Sequence, residues 1–238
     1  MGVDHITSEW ARARKQARRT TAAPPAAEAP APAGVPAPKA AHPSGAKTPR
    51  LFALEAQSSV TRALWGEHVA RRAAGLVGRS VIPAKVPNDC SGLVRVAYYA
   101  VGVELLHRPR REENAVTAIY RRAESLGAVH RGKPHVGDLI FFRETYDRNG
   151  DGRRNDGLTH IGIVESVAPT GTVTFVHRVG PGVMRSRVTP RQPGVYSRGG
   201  RVLNDLLRRE EGGERARLTG ELFVGYAAAG RLGALDAR

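Results

Sequence analysis

The segment with the clearest potential for chemistry is Asn-Asp-Cys-Ser-Gly-Leu-Val at 88–94, which contains the single cysteine of the chain, Cys90. Apolar residues recur at helical spacing after it, so Cys90 is expected in the first turn of a helix over 90–102. Unpaired backbone N–H groups stabilise an anion at that position, which predicts a lowered thiol pKa. A lone cysteine can equally be an inert core residue. The small neighbours Ser91 and Gly92 favour a nucleophile, because they leave room for a substrate carbonyl beside backbone amides that can bind an oxyanion.

A thiol nucleophile needs a general base, and the chain offers eight histidines. His160 is the strongest candidate because it opens a predicted strand directly after a turn-rich loop. His177 ends the next predicted strand, and a hairpin between the two strands would bring it close enough to orient the His160 imidazole through its second nitrogen. The alternative for His177 is a structural role at the end of its strand. The predicted catalytic residues are therefore Cys90, His160 and His177.

A second motif, at 147–152, could bind a metal ion. Asp147, Asn149 and Asp151 place oxygen ligands at alternate positions, as in the opening of an EF-hand calcium loop. The twelfth position is Leu158, where such loops carry a bidentate glutamate. Two interpretations stay open: a structural calcium ion that orders the loop before His160, or a turn closed by its own side-chain hydrogen bonds. The predicted chemistry itself requires no cofactor.

The elements that must position these residues can be read from the period of the apolar positions. Helical spacing is found over 56–77, 90–102 and 114–126. Short runs of Val, Ile and Phe between turns predict strands at 138–143, 159–167 and 172–178. Weaker strands are expected near 182–188 and 222–226, and a helical piece at 205–211. Helices followed by antiparallel strands indicate an α+β domain.

The first fifty residues differ from the rest in composition. A basic segment at 4–20 predicts a short helix, and 22–49 is almost entirely Ala, Pro, Gly and small polar residues. Such a composition is typical of an extended spacer. We expect residues 1–50 to be a disordered basic tail and linker, and 51–238 to form one catalytic domain with its core at about 60–180.

The formal net charge of +15 comes largely from arginine. It would attract any polyanion, including an anionic envelope polymer, or it is simply solvated surface charge. The chain has no zinc-finger spacing, no recognition-helix signature and no interleaving of aromatic and basic residues, so we expect no specific nucleic acid partner. No stretch predicts a transmembrane segment, and the N-terminal region lacks the apolar run of a secretory signal.

Together these motifs resemble the NlpC-type cell-wall cysteine peptidases and their relatives, the CHAP amidases. The resemblance is carried by Asp-Cys-Ser-Gly at 89–92, Gly-Asp-Leu-Ile-Phe-Phe at 137–142, His-Ile-Gly-Ile at 160–163, and His177 as the polar third residue. It covers roughly 60–180 and implies a papain-like cysteine hydrolase with N-terminal helices followed by a small antiparallel β-sheet. The chain departs from the family at 81–87, where many members have a Tyr- and Gly-rich segment that helps bind the reacting carbonyl.

The resemblance implies hydrolysis of an amide bond in peptidoglycan, by a stem-peptide endopeptidase or an amidase, through a Cys90 thiolate and a His160 base. One alternative is a papain-like transferase or deamidase toxin. Another is a non-catalytic module that binds an anionic polymer. We expect a monomer that acts on peptidoglycan at the cell envelope or after secretion. Because no signal peptide is visible, a cytoplasmic location is the alternative.

Overall fold

The computed structural model describes residues 64–82, 85–210 and 215–233. The helices of these residues are α1 at 64–74, α2 at Cys90–Tyr99, α3 at Ala115–Ser125, α4 at Thr219–Leu222 and α5 at Ala229–Leu232. The predicted helix at 4–20, the spacer at 22–49 and the first part of the predicted helix 56–77 lie outside the described residues.

The same residues contain ten strands. They are β1 Val129–His130, β2 Leu139–Arg143, β3 Leu158–Val167, β4 Val173–Val179, β5 Gly182–Val188, β6 Ser197–Arg198, β7 Arg201–Val202, β8 Leu206–Arg208, β9 Arg217–Leu218 and β10 Phe223–Ala227. Six of them form one sheet in the order β1-β10-β2-β3-β4-β5, and each neighbouring pair is antiparallel. The fold is thus a mixed α and β domain with a mainly antiparallel sheet.

The central strands of the sheet are apolar at nearly every position. Both faces of the sheet are therefore covered by other parts of the domain. In β2, Leu139 and Phe141 belong to the cluster that includes the buried residues of α1, α2 and α3. The alternate residues Ile140 and Phe142 point to the opposite face and pack in a second cluster with Phe175. Helices α1, α2 and α3 therefore cover one face of the sheet, and the second face has its own core.

The prediction of a helical piece at 205–211 is wrong, because β8 begins at Leu206 and pairs with β9 through Leu218. The Asp205 carboxylate accepts the backbone N–H of Arg187 at 2.7 Å, and the Asp205 N–H donates to the Arg187 carbonyl at 3.1 Å. These bonds hold the segment extended along the edge of β5. The polar and charged residues that suggested a helix are engaged in tertiary hydrogen bonds, which override local propensity.

Within the parts of the chain that the structure describes, no helix combines the length and the apolar character needed to cross a membrane.

Candidate active site

Cys90 is the first residue of α2, and the residue before it caps the helix. Oδ1 of Asp89 accepts the N–H of Gly92 at 2.9 Å and the hydroxyl of Ser91 at 2.7 Å. The chain approaches itself closely here, since a Cβ on Gly92 would lie 1.8 Å from the carbonyl oxygen of Pro87. Only glycine fits at that position. The cap and this close approach together fix the half-buried Cys90 at the start of the helix.

The thiol pKa differs from the sequence expectation of a lowered value. Burial raises the pKa of Cys90 to about 12, and the Asp89 carboxylate adds to the rise. The backbone N–H groups of Ile161, Ser91 and Cys90 act in the opposite direction, as a helix N-terminus should, but they are outweighed. The effect of Ile161 also shows that the thiol lies beside the residue that follows His160. The resting thiol is therefore neutral.

His160 and His177 lie in direct hydrogen-bond contact, at 2.8 Å between Nε2 of His160 and Nδ1 of His177. The chain of polar groups continues to β5, because Nε2 of His177 lies 2.9 Å from Oγ of Ser186. All three side chains are buried. The sequence predicted that a hairpin between these two strands brings the histidines together. The structure adds Ser186 as a third member of this hydrogen-bonded chain.

The hairpin explains why these two imidazoles meet. Strands β3 and β4 pair Ile163 with Val176, and this register continues to place Gly162 opposite His177. His160 is then the diagonal neighbour of His177 on the same face. A Cβ on Gly162 would lie 2.9 Å from the Phe175 ring and 3.3 Å from Cβ of His177. The missing side chain at 162 therefore leaves the space that the His177 imidazole needs.

Both imidazoles are held neutral by burial. Desolvation lowers the pKa of His160 to about 4, opposed by the Asp89 carboxylate. Desolvation lowers the pKa of His177 well below its usual value, and the charge of a protonated His160 would lower it further. Among the residues that the structure describes, no carboxylate is hydrogen-bonded to either ring, so both imidazoles are neutral at rest.

A cavity of about 470 Å³ contains the predicted nucleophile and base in its walls. Asp89, Cys90 and Ser91 come from the start of α2, and Thr159 and His160 come from β3. The rest of the wall is formed by Asn114, Ala115, Val116, Thr145, Tyr146, Arg148, Arg178, Val179, Gly180 and Leu207. His177 lies behind His160, outside the lining.

Asn114 fixes the start of β3 relative to α3. Its Oδ1 accepts the N–H of Thr117 and caps α3 at 2.8 Å, while its Nδ2 donates to the Leu158 carbonyl at 3.0 Å. Oγ1 of Thr159 accepts the N–H of Thr145 at 2.9 Å on the other side. These bonds hold the two residues immediately before His160, so that the imidazole projects from a rigid point.

The loop proposed for calcium is closed by its own hydrogen bonds. The two carboxylate oxygens of Asp147 accept the N–H groups of Gly150 and Gly152, each at 2.8 Å. Oδ1 of Asn149 accepts the N–H of Asp151 at 3.0 Å, and Asp151 in turn accepts the N–H of Arg153 at 2.8 Å. Across the described residues, no group of three or more His, Cys, Asp or Glu side chains is placed to hold a metal ion. Calcium binding by Asp147, Asn149 and Asp151 stays a prediction from the sequence.

Sequence reasoning missed Ser186, Arg178 and Tyr146. A signal for Ser186 exists, because it is the one small polar residue in the predicted strand 182–188. Arg178 follows His177 directly, and alternation along a strand would have placed it on the other face. Tyr146 lies in the loop that precedes the calcium-like motif, and half of its surface is exposed at the cavity. Its position could not be read from local spacing.

Comparison with known proteins gives one match. The model of the NlpC/P60 family matches residues 76–200, which is just over half of the chain and includes Cys90, His160 and His177. No curated protein and no solved structure matches. The match supports the NlpC part of the resemblance and does not extend to the CHAP amidases. NlpC/P60 proteins generally are cysteine peptidases or amidases that act on peptidoglycan. By this match the chain belongs to the NlpC/P60 family of cell-wall hydrolases.

Proposed function

We propose that the protein cleaves an amide bond of peptidoglycan with Cys90 as nucleophile, His160 as general base and His177 as the residue that orients the base. The observation that carries this proposal is the 2.8 Å contact between Nε2 of His160 and Nδ1 of His177. It occupies one nitrogen of His160 and leaves Nδ1 available to Cys90, which lines the same cavity.

This contact sets the direction of every proton in the relay. For Nδ1 of His160 to accept the thiol proton, its own proton must lie on Nε2 and be donated to Nδ1 of His177. His177 then carries its proton on Nε2 and donates it to Oγ of Ser186 at 2.9 Å. Ser186 therefore acts as the acceptor that holds His177 in the tautomer required for catalysis.

The reaction starts from a neutral thiol and a neutral imidazole, since burial disfavours the charged form of both groups. As Sγ of Cys90 attacks the carbonyl carbon, its proton passes to Nδ1 of His160. The backbone N–H groups in the first turn of α2 bind the developing oxyanion. When the C–N bond breaks, the same proton passes to the leaving amine, and a thioester remains on Cys90.

Water completes the cycle. His160 accepts a proton from the attacking water, the C–S bond breaks, and the proton returns to the thiolate as the carboxylic acid leaves. His177 stays neutral throughout and accepts the Nε2–H bond of the transient imidazolium. In this scheme His177 stabilises the positive charge by a hydrogen bond rather than by an opposite charge.

Digestion of purified peptidoglycan by wild type, Cys90→Ala and Cys90→Ser tests the proposal. We expect both variants to lose at least about a thousandfold in rate, because removing a nucleophile leaves only binding and oxyanion contributions. Mass spectrometry of the products identifies the bond: cut stem peptides indicate an endopeptidase, and intact stems freed from glycan indicate an amidase. Arg72→Gln, an exposed change on α1, is the matched control.

Two outcomes would contradict the proposal. A folded Cys90→Ala protein that digests at the wild-type rate would remove the thiol from the mechanism. Products that carry an added amine in place of a new carboxyl group would indicate a transferase of the same fold. We further propose that the protein works at the cell envelope, where its substrate lies.

A further inference from the structure

Arg178 is a half-buried cation on the wall of the cavity that contains Cys90 and His160. It is the last residue but one of β4 and follows His177 directly. Its strand neighbour is Val183 of β5, which belongs to the core on the helix side of the sheet. The relay histidine and this arginine therefore lie next to each other in sequence but on opposite faces.

Arg178 has weak internal partners for a half-buried guanidinium. One bond is present, from Nη2 to the carbonyl oxygen of Ser80 at 3.3 Å. Nε is buried without any hydrogen-bond partner among the described residues. Other arginines of the domain are matched by carboxylates, as in Arg121 with Glu113 at 2.8 Å and Arg185 with Glu165 at 2.6 Å. No such ion pair involves Arg178 in the described part of the chain.

The cavity around Arg178 has a positive balance of charge. Arg148 is exposed at the same cavity, and Asp89 is the one acidic residue in the lining. Asp89 already accepts the N–H of Gly92 and the hydroxyl of Ser91. Two cations therefore face one carboxylate that is engaged in capping α2, while the thiol and imidazole beside it are neutral.

We propose that Arg178 binds a free carboxylate of the substrate next to the scissile amide, so that the enzyme selects anionic peptides. This inference rests on the proposed hydrolase function and names the chemical class of its substrate. A guanidinium offers several N–H donors in a planar fork that matches a carboxylate, and the pairing is strongest in a partly desolvated site. Nε itself is too deeply buried to meet a substrate, so the donors for this pairing are Nη1, which has no hydrogen bond within the described residues, and Nη2, whose one bond to Ser80 is long.

The test compares two forms of the muropeptide that the enzyme cuts in the digestion experiment. One form keeps the free carboxylate on the residue next to the cleaved bond, and the other carries a carboxamide there. We expect wild type to prefer the carboxylate form by about tenfold in kcat/KM, the equivalent of one charge-assisted hydrogen bond. Arg178→Gln should abolish this preference, so that the variant cleaves the two forms with similar kcat/KM. Arg178→Lys should restore part of it, because the charge returns without the fork.

Arg72→Gln removes the same charge from the exposed face of α1 and should keep the full preference. Calorimetric binding of both muropeptides to Cys90→Ala, with and without Arg178→Gln, separates recognition from chemistry. Equal cleavage of the two forms by wild type overturns the carboxylate inference and leaves the hydrolase in place. Absence of cleavage by wild type, with carboxylate binding that depends on Arg178, overturns the hydrolase and retains the carboxylate site. If Arg178→Gln does not fold, the Lys variant and the wild-type preference still decide.

Discussion

Two neutral histidines in contact can hold their protons in two directions, and only one of them leaves Nδ1 of His160 ready to accept a proton. The next group along this pair is Ser186, whose Oγ lies 2.9 Å from Nε2 of His177. A hydroxyl can either donate or accept, so Ser186 is able to accept the Nε2–H of His177 that the proposed mechanism requires. In the proposed mechanism the catalytic direction is therefore stabilised by hydrogen bonding to Ser186 rather than by a fixed charge.

Replacing Ser186 with Ala tests this at the level of one atom. We expect kcat to fall about fivefold, because the lost bond contributes a net ~1 kcal/mol to holding the active tautomer. KM should stay unchanged, since Ser186 does not line the cavity. Nitrogen NMR of the histidine rings should show mixed tautomers of His177 in the variant. A fall in kcat with wild-type tautomers would mean that Ser186 acts only through packing.

The reactivity of Cys90 gives a second residue-level prediction. Because burial raises its thiol pKa to about 12, we expect slow alkylation by iodoacetamide between pH 7 and pH 9 in the folded protein. The same protein in urea should react faster, since a free thiol has a pKa of about 8.5. Cys90 is the single cysteine of the chain, so the label reports on one site. Faster alkylation in the folded state than in urea would contradict the neutral resting thiol.

The candidate site could be predicted in part from residue types. Cys90 at a helix start and His160 and His177 on successive strands share a pattern that local spacing reveals. The thiol pKa could not be predicted, because burial depends on how α2 packs against β3. Arg178 was not predicted as a site residue. Its proposed role depends on the lack of a nearby carboxylate partner, and the sequence does not show which side chains surround it.

At the scale of elements, the strands were more predictable than the connections between them. The predicted strands 138–143, 159–167 and 172–178 correspond to β2, β3 and β4 within two residues, since buried strands are marked by dense Val, Ile and Phe. The short strands β6 to β9 carry few apolar residues and owe their shape to pairing with distant segments. The local pattern of apolar residues therefore does not predict these short strands.

The β3–β4 hairpin makes an element-level prediction through Gly162. In Gly162→Ala the new methyl group would meet the Phe175 ring at 2.9 Å and Cβ of His177 at 3.3 Å. We expect the His177 ring to shift away from His160, with a fall of about tenfold or more in kcat, because a small misplacement of a catalytic group is costly. Circular dichroism should show a folded protein. Gly194→Ala is the control for glycine replacement, since its Cβ would meet open space and its φ is not positive.

At the scale of the whole molecule, the buried histidines make stability depend on pH. The pKa of His160 is about 4 in the folded state and about 6.5 in an unfolded chain. Below pH 6.5 the unfolded chain binds a proton that the folded protein does not, so the free energy of unfolding falls as pH drops towards 4. His177, whose pKa is also lowered by burial, acts in the same direction.

We therefore expect the urea midpoint of unfolding to decrease between pH 7 and pH 4, with His160 contributing about 3 kcal/mol. Tryptophan fluorescence in urea at four pH values measures this loss. His160→Gln should flatten the slope, because the variant has no proton to gain at this position. A midpoint that stays constant over the range would mean that the imidazoles are not held neutral by the fold.

The order of the strands has a consequence for how the protein is made. β10 lies inside the sheet between β1 and β2, and the N–H of Ala229 just after it donates to the buried Asp138 carboxylate at 2.9 Å. A growing chain carries Cys90, His160 and His177 long before Phe223 leaves the ribosome. Until then the edge of β2 that pairs with β10 has no partner, and its N–H and C=O groups stay open to other chains. The sheet that carries His160 and His177 can therefore be completed only after its last strand has been synthesised.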